Sequence, residues 1–378
     1  MTKLLPFAPP IAGPVDLLII AGEHSGDEHA ARMLSGLLAQ KPGLKVAALG
    51  GPKLRAAGAQ LLRDMTTTSV IGFVETLKSI SYFKALFAEI LRWIGEYQPR
   101  AVCFVDSSGL NLRIAQQMFE RGLSAKAGGK IKTLYYISPQ IWASRAGRRF
   151  KMAKYLDGLA VIFPFEPGVY ADTKLPVEFV GHPFMGEHVV SPVRYDPDGP
   201  ILLLPGSRRS AVARIFPVML AAYARLAERD AVAIYPSDEI LAVLRSANPP
   251  SHVELRPSGE PVAASAVLTS SGTMSMRCAL AGIPGVVMYR AHPLEYLLGR
   301  MLVKVPYLGI ANLLLKEPMY PEYIQGAATS GVLARELQAC LHDPARRKEI
   351  VERAERLRAV LHQPARGNAS DWLARQLG

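Results

Sequence analysis

The chain has 378 residues, of which 49% are hydrophobic and 20% are charged, a composition typical of globular rather than disordered proteins. Its formal net charge of +12 favours an anionic partner, which could be nucleic acid, an anionic membrane surface or a phosphorylated substrate. No basic stripe with interleaved aromatic residues and no zinc-knuckle spacing supports nucleic acid. Cys103, Cys278 and Cys340 are far apart and odd in number, which indicates a reducing compartment, no disulfide framework and no metal-ligand spacing.

Short apolar runs alternate with helical patterns in the first half of the chain. The predicted strands are Leu17–Ala21, Val46–Leu49, Ala101–Val105, Thr133–Ile137, Gly158–Ile162 and Val177–Val180, and the clearest helices between them are Glu28–Gln40 and Leu110–Arg121. This alternation predicts βαβ units and a parallel, doubly wound sheet. The turn-rich stretch from His182 to Pro200 predicts a linker.

The same alternation restarts after residue 200. It gives the strands Ile201–Leu204, Ala231–Tyr235, Val253–Leu255, Val267–Thr269 and Val286–Tyr289, a helix from about Val212 to Ala227, and two helices in the tail broken at residues 364–367. The predicted fold class is α/β, with two Rossmann-like, doubly wound parallel-sheet domains facing across a crevice. Their predicted limits are 1–185 and 186–360, followed by a helix over 361–378 that packs on the N-terminal domain or on a partner subunit.

Two turns in the second half combine the features of phosphate sites. Pro205-Gly206-Ser207-Arg208 follows a buried strand: Gly206 permits close backbone approach, Ser207 can cap the next helix, and Arg208 supplies a forked cation. Ser270-Ser271-Gly272-Thr273 likewise follows a strand and opens a helix, whose N-terminus attracts anions. Either turn alone could be an ordinary strand–helix connection with solvated polar residues. Together they predict a seat for a nucleotide diphosphate.

Polar residues also follow two strands of the first half. Gly22-Glu23-His24-Ser25-Gly26-Asp27 is not the glycine fingerprint of nicotinamide-binding folds, and Glu23, Ser25 and Gly26 would equally suit sugar hydroxyls. Asp106 emerges from Ala101–Val105, where a carboxylate can act as a general base. In both places the alternative is a helix cap, Ser25 or Asp27 in the first case and Asp106 in the second.

Two stretches, residues 70–97 and 293–315, are more apolar than ordinary surface and carry aromatic and basic residues. Such helices lie in membrane interfaces or line acyl-chain grooves, although one alone would more often be a helix buried between domains. Asn312 and Glu322 add polar groups beside the second stretch. No run reaches the about 18 clean apolar residues that a membrane span requires, and residues 1–14 are too short for a signal peptide, so we expect a cytoplasmic protein.

Through an ordered set of motifs, the chain resembles the lipid-A-disaccharide synthase family. Members of this family are inverting GT-B enzymes of glycosyltransferase family 19. The resemblance runs through nearly the whole chain, and its motifs are specific only as an ordered set. They lie at residues 21–27, 50–52, 72–75, 136–139, 142–143, 163–166, 181–183, 204–208, 271–273, 302–304, 312–314 and 321–322.

The resemblance implies that UDP-2,3-diacylglucosamine donates its sugar to the 6-hydroxyl of 2,3-diacylglucosamine 1-phosphate, giving a β-1,6-linked disaccharide 1-phosphate and UDP. It implies Asp106 as the base and Arg208 at the leaving diphosphate, with Glu23 and Ser25 on the acceptor side. It further implies that no metal or other cofactor is required, and that the protein contacts the cytoplasmic face of the inner membrane peripherally. The apolar C-terminal half suggests a homodimer.

Three positions depart from the family pattern. The turn that carries Asp106 usually holds a second aspartate where this chain has Gly109. The helix after Ser271-Gly272-Thr273 usually carries a glutamate, which holds the nucleotide ribose in GT-B enzymes, where this chain has Arg277. Ser144 interrupts a usual Trp-Ala-Trp-Arg. Two alternatives remain open: a GT-B enzyme that uses another UDP-sugar or lipid acceptor, and a non-catalytic paralogue that binds membrane or a partner.

Overall fold

The computed structural model describes residues 5–66, 76–185, 191–226, 229–270, 272–292, 296 and 305–378, with the backbone alone for residues 76–81. The chain divides into two compact units, and we call Met1–Pro183 with Gln363–Gly378 unit 1 and Phe184–His362 unit 2. The unit limits therefore fall after residues 183 and 362, where the sequence placed them at 185 and 360.

The described strands are β1 Leu17–Ala21, β2 Val46–Gly50, β3 Gln60–Asp64, β4 Ala101–Val105, β5 Lys132–Tyr136, β6 Gly158–Val161, β7 Val177–Phe179, β8 Val193–Tyr195, β9 Ile201–Leu204, β10 Ala231–Tyr235, β11 Val253–Pro257, β12 Val262–Ala264, β13 Ala266–Thr269, β14 Gly285–Tyr289 and β15 Glu322–Ile324. The described helices are α1 His24–Gln40, α2 Pro52–Ala56, α3 Thr76–Tyr97, α4 Ser108–Glu120, α5 Arg148–Tyr155, α6 Glu166–Val169, α7 Arg209–Tyr223, α8 Asp238–Ser246, α9 Thr273–Leu280, α10 Ile310–Leu315, α11 Ser330–His342, α12 Pro344–Leu361 and α13 Ala369–Leu377.

Unit 1 is built on a seven-stranded parallel sheet in the order β3-β2-β1-β4-β5-β6-β7. Alternate residues of β1 point to opposite faces: Leu18 and Ile20 enter one apolar cluster, and Leu17 and Ile19 enter the other. Because helices cover both faces, the strand reads as a continuous apolar run rather than an alternating one. The predicted parallel α/β fold is confirmed.

The C-terminal helix α13 belongs to unit 1. Its Trp372 is buried in the same cluster as Leu17 and Ile19, and the Ser370 hydroxyl donates a 2.9 Å hydrogen bond to the Met33 carbonyl. A Cβ added at Gly36 would lie 2.4 Å from the Ser370 Oγ, so this crossing of α1 and α13 requires a glycine. The last helix therefore completes the core of the first unit.

Unit 2 repeats the strand order of unit 1. Its six-stranded sheet runs β11-β10-β9-β13-β14-β15, which within the sheet is third, second, first, fourth, fifth and sixth in chain order. This order is that of dinucleotide-binding Rossmann folds, in which the ligand binds where the order reverses. That reversal, the switch point, lies between β1 and β4 in unit 1 and between β9 and β13 in unit 2.

Four strands escaped the sequence analysis because they are short or lie at a sheet edge. β3 is half-exposed along its whole length, and β8, β12 and β15 have three residues each, too few for a period to appear. The predicted linker is wrong at Val193–Tyr195, which pairs in parallel with Val262–Ala264. The N-cap of α7 is Arg208, so Ser207 does not cap this helix as predicted.

The first apolar stretch is partly a core helix. Residues 70–75 lie outside the described residues, whereas Leu86, Ile90 and Ile94 of α3 are buried in unit 1 and the Trp93 indole donates to the Ala8 carbonyl at 3.0 Å. These positions are buried, as the alternative expected, but in the core of unit 1 rather than as a helix between domains. In the second stretch, residues 293–295 and 297–304 are outside the described part. No helix in the described part of the chain is long and apolar enough to cross a membrane.

Candidate active site

The first group of predicted residues lies at the switch point of unit 1. Glu23 follows β1 and Asp106 follows β4, and β1 and β4 are neighbours in the sheet. The two loops touch, because a Cβ added at Gly22 would lie 2.7 Å from the Ser107 Oγ. The structure therefore brings the predicted base and the predicted N-terminal loop together.

Asp106 is held in an unusual backbone conformation. Asp106 and Ser107 have φ values of 50° and 43°, the left-handed region, which costs a non-glycine residue about 1–2 kcal/mol. Three hydrogen bonds hold it: the Asp106 amide donates to the Tyr136 carbonyl at 3.1 Å, and the Asp106 carbonyl accepts from the Asn111 Nδ2 at 2.8 Å and from the Tyr135 hydroxyl. This bracing fixes the backbone from which the carboxylate projects.

The environment of Asp106 makes its carboxylate a stronger base than usual. Burial is the main reason that its pKa is raised, and the negative charge of Glu23 raises the pKa further, while a hydrogen bond from the Ser107 amide opposes both. A general base is most effective when its pKa approaches the working pH. The geometry and the direction of the pKa shift both fit the role predicted for Asp106.

The other residues of the first loop divide into exposed and structural ones. Glu23 is exposed and is the N-cap of α1 without a side-chain capping bond, and Ser25 is half-buried. Gly26 is buried against β1 and β4, since an added Cβ would lie 3.6 Å from the Ala21 Cβ and 3.7 Å from the Val105 carbonyl oxygen. Gly26 therefore serves helix–sheet packing.

Asp27 holds the next strand–helix turn rather than its own helix. Its buried carboxylate accepts hydrogen bonds from the amides of Gly51 at 2.7 Å, Lys53 at 3.0 Å and Leu54 at 3.2 Å. A Cβ at Gly51 would approach the Asp27 Oδ2 to 2.5 Å, which explains the glycine. The predicted capping alternative is therefore wrong for α1, and Asp27 instead holds the amides at the start of α2.

The second group of predicted residues lies at the switch point of unit 2. Gly206 has a φ of 108°, and a Cβ there would lie 3.0 Å from the Ser270 Oγ, so the loops after β9 and β13 are in contact. Ser207 and Arg208 are exposed. Arg208 forms no ion pair with a described carboxylate, whereas the adjacent Arg209 lies 3.8 Å from Glu239.

The N-terminus of α9 completes this second group. Gly272 is the N-cap and Thr273 the first helical residue, and both are exposed. The Ser275 hydroxyl donates to the Gly272 carbonyl at 2.6 Å and fixes the turn. Ser271 lies outside the described residues. The helix start after β13 and the exposed Arg208 in the contacting loop after β9 form an arrangement suited to a diphosphate.

Asn312 and Glu322 are brought together, but their polar atoms serve the protein itself. Asn312 is 1% exposed; its Nδ2 donates to the Glu322 Oε1 at 2.7 Å and to the Tyr320 carbonyl at 2.8 Å, and its Oδ1 accepts from the Tyr320 amide. Glu322 also accepts from the amides of Leu308 and Gly309, each at 2.8 Å. The pair joins α10 to β15 and shapes the loop before α10.

Arg277 lies in the interior of unit 2. It is 8% exposed, and its guanidinium carbon lies 4.2 Å from the centre of the Phe184 ring, a cation–π distance. Arg277 also lines a cavity of about 180 Å³ together with Phe184, Met185, Ser191, Leu280, Ala281 and Arg358. The cation at this position is thus packed against an aromatic ring of its own unit.

Two residues of the first site, Asn111 and Tyr135, were not predicted from the sequence. Asn111 is 0% exposed and faces the core on the same helical face as Ile114, Ala115 and Met118, so a polar residue in an apolar stripe was an available signal. Tyr135 is the residue before the end of β5, and its hydroxyl reaches Asp106 only across the sheet. In the described part of the chain, no group of three or more His, Cys, Asp or Glu side chains could hold a metal ion.

Comparison with known proteins assigns a family to this architecture. A family model described as lipid-A-disaccharide synthetase matches residues 17–376. A lipid-A-disaccharide synthase of Geobacter metallireducens is 34% identical over 351 residues, covering 87% of this chain and 88% of its own. One of Coxiella burnetii is 33% identical over 384 residues, covering 95% and 96%.

Solved structures with a similar fold include the calicheamicin glycosyltransferase CalG4, with a TM-score of 0.58 at 17% identity over 96% of this chain and 98% of the other. The UDP-GlcNAc 2-epimerase of Neisseria meningitidis has a TM-score of 0.59 at 11% identity over 96% and 99%. At these identities the likeness establishes the fold alone, and it confirms the predicted GT-B class. The chain therefore belongs to the lipid-A-disaccharide synthase family of glycosyltransferases.

Proposed function

We propose that this protein transfers 2,3-diacylglucosamine from UDP-2,3-diacylglucosamine to the 6-hydroxyl of 2,3-diacylglucosamine 1-phosphate. The observation that carries the proposal is the braced, base-strengthened Asp106 at the switch point of a chain whose family relationship spans residues 17–376. Unit 1 supplies the acceptor side and the base, and unit 2 supplies the nucleotide side.

In the proposed reaction Asp106 removes the proton of the acceptor 6-hydroxyl as its oxygen attacks C1 of the donor sugar. The new C1–O bond forms as the bond from C1 to the diphosphate breaks, the configuration at C1 inverts, and UDP departs with the electron pair. Arg208 and the N-terminal end of α9 stabilise the negative charge that develops on the diphosphate. Gly206 allows that anion to approach the backbone.

We propose further that Glu23 and Ser25 contact acceptor hydroxyls, and that Ser207, Ser271, Gly272 and Thr273 contact the diphosphate. Asn312 and Glu322 act on the nucleotide side through the loop that they hold, because every polar atom of their side chains already has a partner within unit 2. Gly26 contributes by bringing α1 close to the sheet.

The test is UDP release from UDP-2,3-diacylglucosamine, measured with and without 2,3-diacylglucosamine 1-phosphate, for wild type beside Arg277→Glu. We expect acceptor-dependent release by the wild type, because Asp106 and Arg208 are both present. Release from other UDP-sugars alone, or release that ignores the acceptor, would contradict the proposal. Activity in Arg277→Glu with none in the wild type would show that Arg277 has removed a nucleotide contact.

Three further features belong to the proposal. The enzyme requires no metal, so a chelator should leave its rate unchanged. Its contact with the membrane is peripheral and partly electrostatic, given the net charge of +12, so high salt with mild detergent should release it. It forms a homodimer, which light scattering of the purified protein would reveal.

A further inference from the structure

Arg148 lies at the switch point of unit 1 and has no role in the reaction proposed above. Its Nη1 lies 3.3 Å from the hydroxyl of Ser108, the first residue of α4. Ser108 follows Asp106 by two residues, so this guanidinium lies at the start of the helix that follows the proposed base. Arg145 lies one turn before it, since the Arg148 amide donates to the Arg145 carbonyl at 2.9 Å.

The charges of these two arginines are not neutralised by the protein. Neither forms an ion pair with a described carboxylate. Burial and, second, the positive charge of Arg145 hold the pKa of the Arg148 guanidinium below its usual value. The neighbouring Arg149 is different, because its Nε and Nη2 bind the Asp172 carboxylate at 2.8 Å and 2.6 Å. Two like charges held together without a counter-ion indicate an anionic ligand.

The first turn of α4 carries no negatively charged side chain. Gly109 stands where the family pattern has a second aspartate. A Cβ at Gly109 would meet no atom within 4 Å, so open space lies in front of this helix turn. A small dianion can therefore approach Ser108 and Arg148 without meeting a carboxylate at position 109.

Two guanidinium groups suit a doubly charged phosphate monoester. Guanidinium groups bind phosphate through paired N–H donors, and two of them match its double negative charge. A neutral sugar hydroxyl would not offset the repulsion between the two cations.

We infer that Arg145, Arg148 and Ser108 bind the phosphate monoester of the acceptor, which makes them residues that position the acceptor for Asp106. The inference rests on the proposed function for the identity of the acceptor. In that acceptor the ring oxygen joins C1, which bears the phosphate, to C5, which bears the hydroxymethyl group with the 6-hydroxyl. Anchoring the phosphate therefore restricts where the 6-hydroxyl can lie.

The experiment is calorimetric binding of glucosamine 1-phosphate to the full chain in the presence of saturating UDP, which keeps the probe from the diphosphate site. We expect Arg148→Gln to weaken binding roughly 10- to 100-fold, the range for loss of a charge-assisted contact. The exposed Arg145 should contribute less in Arg145→Gln. Gly109→Asp should also weaken binding, because it adds an anion in open space without steric conflict.

Arg149→Gln is the matched control, since it removes an adjacent arginine whose charge Asp172 already neutralises, and its binding should equal that of the wild type. Melting temperatures of all variants show whether each is folded, and Arg148→Lys should restore part of the affinity. In turnover, Arg148→Gln should raise KM for the acceptor and leave KM for the UDP-sugar unchanged.

Equal binding by wild type and folded Arg148→Gln, or no binding by the wild type, would overturn the inference. Inorganic phosphate that binds as tightly as glucosamine 1-phosphate, with an unchanged acceptor KM in Arg148→Gln, would also overturn it, because the site would then serve free phosphate. A third outcome is that Arg148→Gln weakens binding of glucosamine 1-phosphate but the wild type shows no acceptor-dependent UDP release. That outcome would contradict the proposed function and support the phosphate site.

Discussion

The sheets of the two units have the same strand order, but the residues at their switch points differ in chemistry. In unit 1 the left-handed residues are Asp106 and Ser107, which bear side chains, and Tyr135 and Asn111 hold the Asp106 carbonyl from the sheet and the helix. In unit 2 the left-handed residue is Gly206, which adopts this conformation without strain. One site holds a side-chain-bearing residue on a strained backbone, and the other has a glycine whose backbone is relaxed.

The difference follows from what each site is proposed to bind. A base must direct one carboxylate at one proton, so unit 1 maintains a strained backbone at Asp106. Burial and the charge of Glu23 raise the pKa of its carboxyl. A diphosphate is large and carries charge over many oxygens, so unit 2 offers the start of α9 and the exposed Arg208. Rossmann topology thus sets the position of a site, whereas the residue after the strand determines its chemistry.

The largest effect that we expect is from Asp106→Asn. Loss of the base should lower kcat about 10²- to 10⁴-fold, while asparagine keeps the shape of the side chain and tolerates the left-handed backbone. The measurement is UDP release at saturating donor and acceptor, and Asp172→Asn, which changes only an exposed ion pair with Arg149, is the control. A folded variant with a loss under about fivefold would refute the role of Asp106.

Gly206→Ala should sharpen the contrast from the other side. An alanine there is strained by the φ of 108° and crowded by the Ser270 Oγ at 3.0 Å, so the turn should shift and KM for the UDP-sugar should rise roughly tenfold. Gly259→Ala is a matched control: its φ is 106°, but no atom lies within 4 Å of the new Cβ. Both variants should lose stability, and equal KM values in the two would show that Gly206 has no special part in binding.

A smaller effect is expected from Glu23→Gln, which removes a negative charge that raises the pKa of Asp106. The pKa of Asp106 should fall, so the acidic limb of the kcat/KM profile should move to lower pH. Glu28→Gln changes a nearby carboxylate that pairs with Arg32 and Lys53, and it should leave the limb in place. A limb that does not move in Glu23→Gln would show that Asp106 does not govern it.

The last prediction concerns Glu166, which we expect to affect the stability of the fold rather than turnover. Burial raises the pKa of its carboxyl from 4.5 to about 7, although the amides of Phe163 and Ile162 and the Trp142 indole donate to it. Between pH 4.5 and 7 the folded protein therefore holds a proton on Glu166 that the unfolded chain has already released. The contribution of this group to the free energy of unfolding is full below pH 4.5 and is lost as pH rises through 7, on the order of 3 kcal/mol.

Denaturant unfolding at pH 5 and pH 8 measures this change. Glu166→Gln cannot titrate and should lack its share of the difference between the two pH values. An identical difference in wild type and Glu166→Gln would show that Glu166 does not titrate in this window.

The sequence by itself determined most strands of the two parallel sheets and pointed to the candidate site residues. Apolar runs such as Ile201–Leu204 can be buried on both faces only in a covered parallel sheet, and the turn after each run marks the strand end where ligands bind. Asp106, Glu23, Gly206 and Arg208 were found in this way, because each of them directly follows a predicted strand or lies in the turn after it.

Only the tertiary structure decided what surrounds those residues. Tyr135 and Asn111 reach the Asp106 carbonyl from another strand and from the next helix, and Asn312 and Glu322 bond to each other instead of remaining open. Arg148 and Arg149 are adjacent in the chain, yet Asp172 neutralises one and Arg145 repels the other. A local pattern records residue type and period, whereas hydrogen bonding, burial and charge depend on neighbours that are distant in the chain and meet only when it folds.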